Sequence, residues 1–363
     1  MQKILKGIKN LSEALKGSTK VLLVCDSSFP FLTIKGDIER MEVPYVVFDQ
    51  FTPNPLYEDV CKGVDLFNGA QCDTILAVGG GSSLDVAKCI KLYCQMEKNK
   101  LYLEQEYKDT GVKLIAIPTT AGTGSESTRY AVIYYDGKKQ SVTHESIIPD
   151  VAILEPKVLK SLPLYQKKCT MMDALCQGIE SWWSVNSTEE SKKLSKEAVE
   201  IIMQRWREYI FENTDASAEA IMHAANLAGQ AICITQTTAP HAFSYKITSL
   251  YKLPHGHAVA VCLPEIWQYM LEHQEKCVEN RGDDYLKSVF KEIAHSMGVD
   301  MPSEAIAVFK ALLKEIELMK PFSEKRELDL ETLATSVNPV RLKNNPILIT
   351  VDGIKCLYER IVN

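Results

Sequence analysis

The sequence predicts an α/β domain with a parallel sheet, followed by an all-α domain. Three observations carry this. Short apolar runs alternate with helix-compatible segments as far as about residue 158. From residue 159 to 363 the chain reads almost continuously at helical period. Two glycine-rich turns, GGGSS and AGTGSES, each follow a buried-strand pattern in the first part. A chain of 363 residues is long for one core, so the expected domains are 1–158 and 159–363.

The N-terminal MQKILKGIKNLSEALKG reads as an amphipathic helix without the apolar core and cleavage site of a signal peptide. KVLLVCDSS (20–28) is a strand ending at Asp26, and PYVVFDQ (44–50) is a second, followed by TPNP. A polar helical segment (57–70) leads to TILAVGG (74–80), then a helix from about Ser82 to Tyr93 and the strand VKLIAIPTT (112–120). RYAVIYY and KKQSVT flank Asp136-Gly137, the signature of a tight hairpin. PDVAILEP (149–156) is one more strand. The segments after Leu159 are helical, with Ser187 or Thr188 and the glutamates behind it opening one of them. SVNPVRLKNNPI (336–347), with two prolines, reads as a loop.

Composition narrows the function. A net charge of −6 with scattered basic residues argues against nucleic acid as a partner. No apolar run approaches the length of a membrane span. Eleven dispersed cysteines without a CxxC point to free thiols in a reducing cytoplasm.

Two features carry chemistry. GGGSSLDVAK (79–88) joins a strand to a helix, where close backbone approach and unpaired N–H groups suit a pyrophosphate. It is neither GxGxxG nor a P-loop. PTTAGTGSE (118–126) follows the next strand, and in a parallel sheet both turns reach the same edge. Asp26 could hold a ribose hydroxyl there and repel a 2′-phosphate. The second feature is HAFSYKITSLYKLPHGH (241–257), with three of the seven histidines, few carboxylates and a Pro-His-Gly break before AVAVCLP. Neutral imidazole is the commonest metal ligand, but two histidines alone also fit loop and helix-cap roles.

At these motifs the chain resembles the iron-dependent (group III) alcohol dehydrogenases, which share a fold with dehydroquinate synthase. GGGSSLDVAK is similar to the family's GGGSxxDxAK, PTTAGTGSE to PTTxGTGSE, and MMDALCQGIE to DALTHxIE. The resemblance implies a Rossmann-like N-terminal domain, a helical metal-binding domain, and NAD(P)-linked interconversion of an alcohol and a carbonyl compound. It places Gly80, Gly81, Ser82 and Asp85 at the pyrophosphate and nicotinamide, with Thr119, Thr120, Ser125 and Lys139 also lining the cofactor. Asp26 matches the acid that favours NAD(H) over NADP(H).

The resemblance further implies a divalent metal, Fe²⁺ or Zn²⁺, on Asp173, His241, His255 and a histidine four residues after the aspartate. Here that residue is Gln177. Three readings stand: the amide oxygen ligates, the metal keeps three protein ligands and water, or the metal is lost. Position 245, where many members carry a histidine near the nicotinamide, is Tyr245, a poorer base but a usable hydrogen-bonding relay.

Within the family the helix and histidine segments look most similar to phosphonoacetaldehyde reductases, which form 2-hydroxyethylphosphonate in phosphonate biosynthesis. An anionic aldehyde needs cations, for which Lys246 and Arg129 adjoin site motifs, with Arg341 and Lys343 as further candidates. Trp182 and Trp183 read as helix-packing residues. Other alcohols, polyols or sugar acids, a dehydroquinate synthase-type lyase, and a metal-free binding protein are the competing readings. A homodimer is compatible with all of them.

Overall fold

The computed structural model describes residues 2–337 and 339–362, the side chains of 339–341 excepted. It divides the chain into two compact units, Met1–Leu162 and Pro163–Asn363.

The first unit holds a six-stranded sheet. Its strands are β1 (Lys3–Lys6), β2 (Val21–Cys25), β3 (Tyr45–Phe48), β4 (Thr74–Gly79), β5 (Lys113–Pro118) and, after the hairpin β6 (Tyr130–Tyr135) and β7 (Lys138–Thr143), β8 (Val151–Leu154). The order is β1-β8-β5-β4-β2-β3, and every neighbouring pair is parallel. Every residue of β2, β4 and β8 is buried, as expected of a parallel sheet covered on both faces. Short helices α1 (Leu11–Ala14) and α2 (Lys35–Glu39) precede the longer α3 (Tyr57–Gly69) and α4 (Gly81–Tyr93). One core cluster joins Leu22, Val24, Ile75 and Ala77 of the sheet to Val60 and Val64 of α3, Ile90 of α4, and Ala131 and Ile133 of the hairpin.

The N-terminal stretch corrects the helical expectation. Residues Lys3–Lys6 pair with β8 along the sheet edge, from Lys3 opposite Val151 to Lys6 opposite Leu154. Gly7 then turns the chain at φ 85° into short helical turns. A backbone edge waiting on β8 outweighs a local periodicity of a few residues, and nothing in the segment itself announces that edge.

Register brings the two glycine-rich turns together. Gly79 is opposite Pro118 in the β4–β5 ladder, and the Thr119 N–H bonds the Gly79 carbonyl at 3.0 Å. Beneath them Lys88 of α4 is fully buried. Its ammonium donates to Ser125 Oγ (3.0 Å), to the Thr128 carbonyl (2.8 Å) and Oγ1 (3.0 Å), and to the Tyr130 carbonyl (2.8 Å). Ser125 passes its own proton to Asp85 Oδ1 at 2.8 Å, and Asp85 Oδ2 accepts from the Val132 N–H at 2.9 Å. A buried lysine thus fastens α4, the second turn and the hairpin together.

The second unit is helical. Its elements are α5 (Leu164–Trp183), α6 (Glu189–Arg207), α7 (Asp215–Thr235), α8 (Ala239–Tyr251), α9 (His255–Glu272), α10 (Asp283–Ser296), α11 (Pro302–Glu315), α12 (Arg326–Ser336) and α13 (Val351–Ile361). α5 is buried along nearly all of its length from Lys167 onward, the mark of a central helix. Trp182 and Trp183 pack inside, Trp183 edge-on to Trp267. Thr188 caps α6 through a reciprocal box with Ser191, not with the glutamates that follow it. Residues Pro339–Asn344, expected as loop, form a short 3₁₀ helix. Among the described residues no helix is long and apolar enough to cross a membrane.

Lys88→Met keeps much of the buried volume but strands the acceptors and leaves Asp85 without its cation. A cost of about 3–5 kcal/mol is expected, read as a lower urea midpoint. An unchanged midpoint would show that the lysine is not a structural tie.

Candidate functional site

In the first unit the candidate cofactor residues gather at the C-terminal edge of the sheet. Gly79 has φ 156°, which residues with a side chain rarely adopt, and a Cβ there would lie 2.2 Å from Ser83 Oγ and 2.9 Å from Asp26 Oδ2, so only glycine fits. Gly80 is the N-cap of α4 and Gly81 its first residue, which places the free N–H groups of that helix start at the turn. A Cβ on Gly81 would come within 3.0 Å of Thr123 Cγ2, so the second turn lies directly against the first. Ser82 Oγ accepts a long bond of 3.4 Å from the Asn54 N–H of the TPNP loop. Thr119 is buried and Thr120 half-buried.

Asp26 ends β2 as expected. Its Oδ2 accepts from Ser83 Oγ at 2.8 Å, and Oδ1 from the Ser28 N–H at 2.8 Å and hydroxyl at 2.5 Å. Asp85 and Ser125, expected at the cofactor, spend their side chains on each other and on Lys88. Burial raises the Asp85 carboxyl above its ordinary value, with Lys88 and its hydrogen bonds opposing. Lys139, on β7, is one of the charges that act on Asp85. Arg129 is ion-paired with Glu145 and donates from Nε to Tyr130 Oη at 3.1 Å. Its charge is therefore already answered, a finding that sequence could not supply because Glu145 is sixteen residues away.

In the second unit three elements bring Asp173, His241 and His255 together. One ligand atom from each lies within 4.8 Å of the others, an arrangement that could hold a metal ion. Asp173 and Gln177 sit one turn apart on α5, both 3 % exposed. His241 lies in the first turn of α8, and His255 opens α9. The two rings are 5.3 Å apart between centroids.

The Pro-His-Gly break needs correction. Helix α9 already starts at His255, and Gly256 lies inside it. A Cβ on Gly256 would fall 2.0 Å from the Cys169 carbonyl oxygen and 2.9 Å from Asp173 Cβ. This glycine is therefore a point of close helix approach, and it is what lets His255 reach Asp173.

A further residue, Glu180, completes the arrangement. It lies seven residues after Asp173 on α5 and is fully buried. Its Oε1 meets His241 Nδ1 at 2.5 Å, and its Oε2 accepts from the Thr238 N–H (2.8 Å) and hydroxyl (2.9 Å). That contact fixes the imidazole so that Nε2 faces Asp173 Oδ1, 3.4 Å away. The signal in sequence was a carboxylate at i+7 from Asp173, on the same face of the helix.

Electrostatics favour a cation. Burial alone would raise Asp173, but His241, His255 and Gln177 more than reverse this and hold it below the ordinary aspartate value. Burial likewise would lower His241, but Glu180 and Asp173 outweigh it and raise the imidazole to about 9. Asp173 Oδ1 and Gln177 Oε1 are both buried without a hydrogen-bond donor. Two donorless acceptor oxygens beside two imidazoles make up a set that a divalent ion satisfies.

Tyr245 stacks on His255, with centroids 5.7 Å apart and planes 3° from parallel. Lys246 is half-buried, and its ammonium meets no carboxylate among the described residues. Lys343 is exposed, and the Arg341 side chain lies outside the described residues. His257, two residues beyond His255, is structural. Its Nε2 donates to the Met319 carbonyl at 2.8 Å, so Nδ1 accepts from Tyr165 Oη at 2.8 Å and the ring is neutral. Burial lowers its pKa, in keeping with that state.

Glu180→Gln keeps the shape but removes the charge that orients His241. Metal affinity, measured by chelator competition, is expected to fall roughly 10–100-fold. Unchanged affinity would remove Glu180 from the site.

Comparison with known proteins identifies the family. The model of the iron-containing alcohol dehydrogenases matches residues 3–156, and that of the family's C-terminal region matches 168–362. Aldehyde-alcohol dehydrogenase 2 of Entamoeba histolytica is 31% identical over 85% of this chain, which spans 38% of that longer protein. Phosphonoacetaldehyde reductase of Streptomyces viridochromogenes is 32% identical over 79% of this chain and 76% of its own length. Among solved structures, sulfoacetaldehyde reductase from Bifidobacterium kashiwanohense, in complex with NAD⁺, superposes at a TM-score of 0.87 with 24% identity, covering 99% of this chain and 96% of that one. With both halves matched and the acid–histidine cluster in place, the chain belongs to the iron-containing alcohol dehydrogenase family of oxidoreductases.

Proposed function

We propose that the chain is a metal-dependent, NAD(H)-linked aldehyde reductase, and that its substrate is phosphonoacetaldehyde, reduced to 2-hydroxyethylphosphonate. The observation that carries the activity is the Asp173–His241–His255 cluster, buried but for the half-buried His255, with the donorless oxygens of Asp173 and Gln177 in it. Iron or zinc held there supplies a Lewis acid for the substrate oxygen. The pyrophosphate of the dinucleotide is assigned to the start of α4, at Gly80, Gly81 and Ser82, with Thr119 and Thr120 of the second turn beside it. Asp85 and Ser125 support that site by bracing the turns. Lys139 is assigned to the nicotinamide side and Asp26 to the ribose, which favours NADH over NADPH.

In the reaction NADH gives a hydride to the carbonyl carbon, the oxygen takes one proton, and NAD⁺ and a primary alcohol leave. Tyr245 is the proposed proton relay, since its ring already lies against His255. The phosphonate reading is supported by the 32% identical reductase and by Lys246, a half-buried cation next to Tyr245 that has no carboxylate partner among the described residues. Arg129 is the weaker anion site, because Glu145 already engages it. A reducing cytoplasm fits the eleven free cysteines.

A charge-assisted contact of about 1.5–3 kcal/mol corresponds to roughly ten- to hundredfold in kcat/KM. With NADH, phosphonoacetaldehyde is therefore expected to exceed acetaldehyde by that factor. Lys246→Ala is expected to abolish most of the difference and leave acetaldehyde unchanged. Equal kcat/KM for the two aldehydes in the wild-type enzyme contradicts the phosphonate assignment, whereas inactivity on both contradicts the reductase itself.

A further inference from the structure

We propose that Gln177 is an oxygen ligand that sets the metal preference of this site, turning it away from zinc and toward harder ions such as Mn²⁺ and Fe²⁺. This rests on the metal-site reading above and goes beyond it in naming the residue that selects the ion.

The case starts from the amide itself. Gln177 is 3 % exposed and lies one helical turn after Asp173 on the face of α5 that carries the site. Its amide oxygen, Oε1, is buried and has no donor. Asp173 Oδ1 is in the same condition independently. A glutamine kept only for packing or capping would be expected to satisfy its carbonyl, because an unmet buried acceptor costs about 1–3 kcal/mol.

The donor set is then two oxygens, from Asp173 and Gln177, and two imidazole nitrogens, from His241 and His255. Imidazole discriminates strongly in favour of zinc and the later first-row ions, while carbonyl and carboxylate oxygens discriminate little and suit Mn²⁺. Exchanging one nitrogen for a neutral oxygen leaves the charge of the site unchanged, since both are uncharged ligands. What changes is the spread of affinities, which narrows across the series.

The test is competition of the purified full-length protein with a chelating dye for Zn²⁺ and for Mn²⁺, in wild type, Gln177→His and Gln177→Leu. The histidine variant is expected to bind Zn²⁺ tighter by on the order of tenfold or more, with Mn²⁺ changed by less than about threefold. The leucine variant has similar volume and no donor atom. It is expected to bind Mn²⁺ roughly tenfold more weakly and to lose less for Zn²⁺. A leucine variant that holds both ions as tightly as wild type overturns the assignment of Gln177 as a ligand. Equal gains for both ions in the histidine variant overturn the selectivity. Failure of the wild-type chain to bind either ion overturns the metal site itself, and this inference with it.

Discussion

Two carboxylates, Asp173 and Glu180, are buried on one side of α5, and the site in the second unit is arranged around that fact. Buried charge is tolerated only when it is paired and hydrogen-bonded. Glu180 is answered by Thr238, which precedes the first residue of α8, and by His241 in the first turn of the same helix. Its hydrogen bonds therefore fix where α8 begins and which nitrogen of His241 is presented. Asp173 is answered less completely by protein: His241 Nε2 faces its Oδ1 at 3.4 Å without closing a hydrogen bond. The difference between the two acids separates their roles. One is satisfied by the fold and fixes an imidazole, while the other keeps an acceptor oxygen without a donor.

The first unit solves a related problem with the opposite sign. Lys88 is buried in a place where an apolar residue would pack, and its ammonium gathers acceptors from the second glycine-rich turn and the hairpin. Asp85 balances it through Ser125. The outcome is a rigid floor under two turns whose upper surface is glycine, threonine and free helix N–H groups. Rigid support below and an open backbone above suit the binding of a dinucleotide pyrophosphate.

Much of this was legible in the sequence, for identifiable reasons. The buried strands announced themselves as apolar runs between turns, and the Asp136-Gly137 hairpin by its left-handed residues, at φ 49° and 67°. Asp173, His241 and His255 were placed correctly in one cluster by their resemblance to a known pattern of spacings, not by chemistry alone. What escaped depends on contacts far apart in the chain. β1 is a strand only because β8 offers an edge nearly 150 residues later. Glu180 gains meaning only when α8 folds against it, and Gly256 only when α9 meets the backbone of Cys169. His257 sits two residues from His255, and only the Met319 carbonyl and Tyr165 hydroxyl mark it as a structural imidazole. Arg129 lost its prominence for the same reason, through a partner on another segment.

The metal reading of the second unit, one divalent ion held by side chains of α5, α8 and α9, can be checked by anomalous diffraction from crystals of the iron-loaded protein, recorded across the iron edge. A single strong peak is expected in the second unit, about 2.0–2.3 Å from Asp173, Gln177, His241 Nε2 and His255. A peak elsewhere, or a fully loaded protein without density between these four side chains, would contradict it.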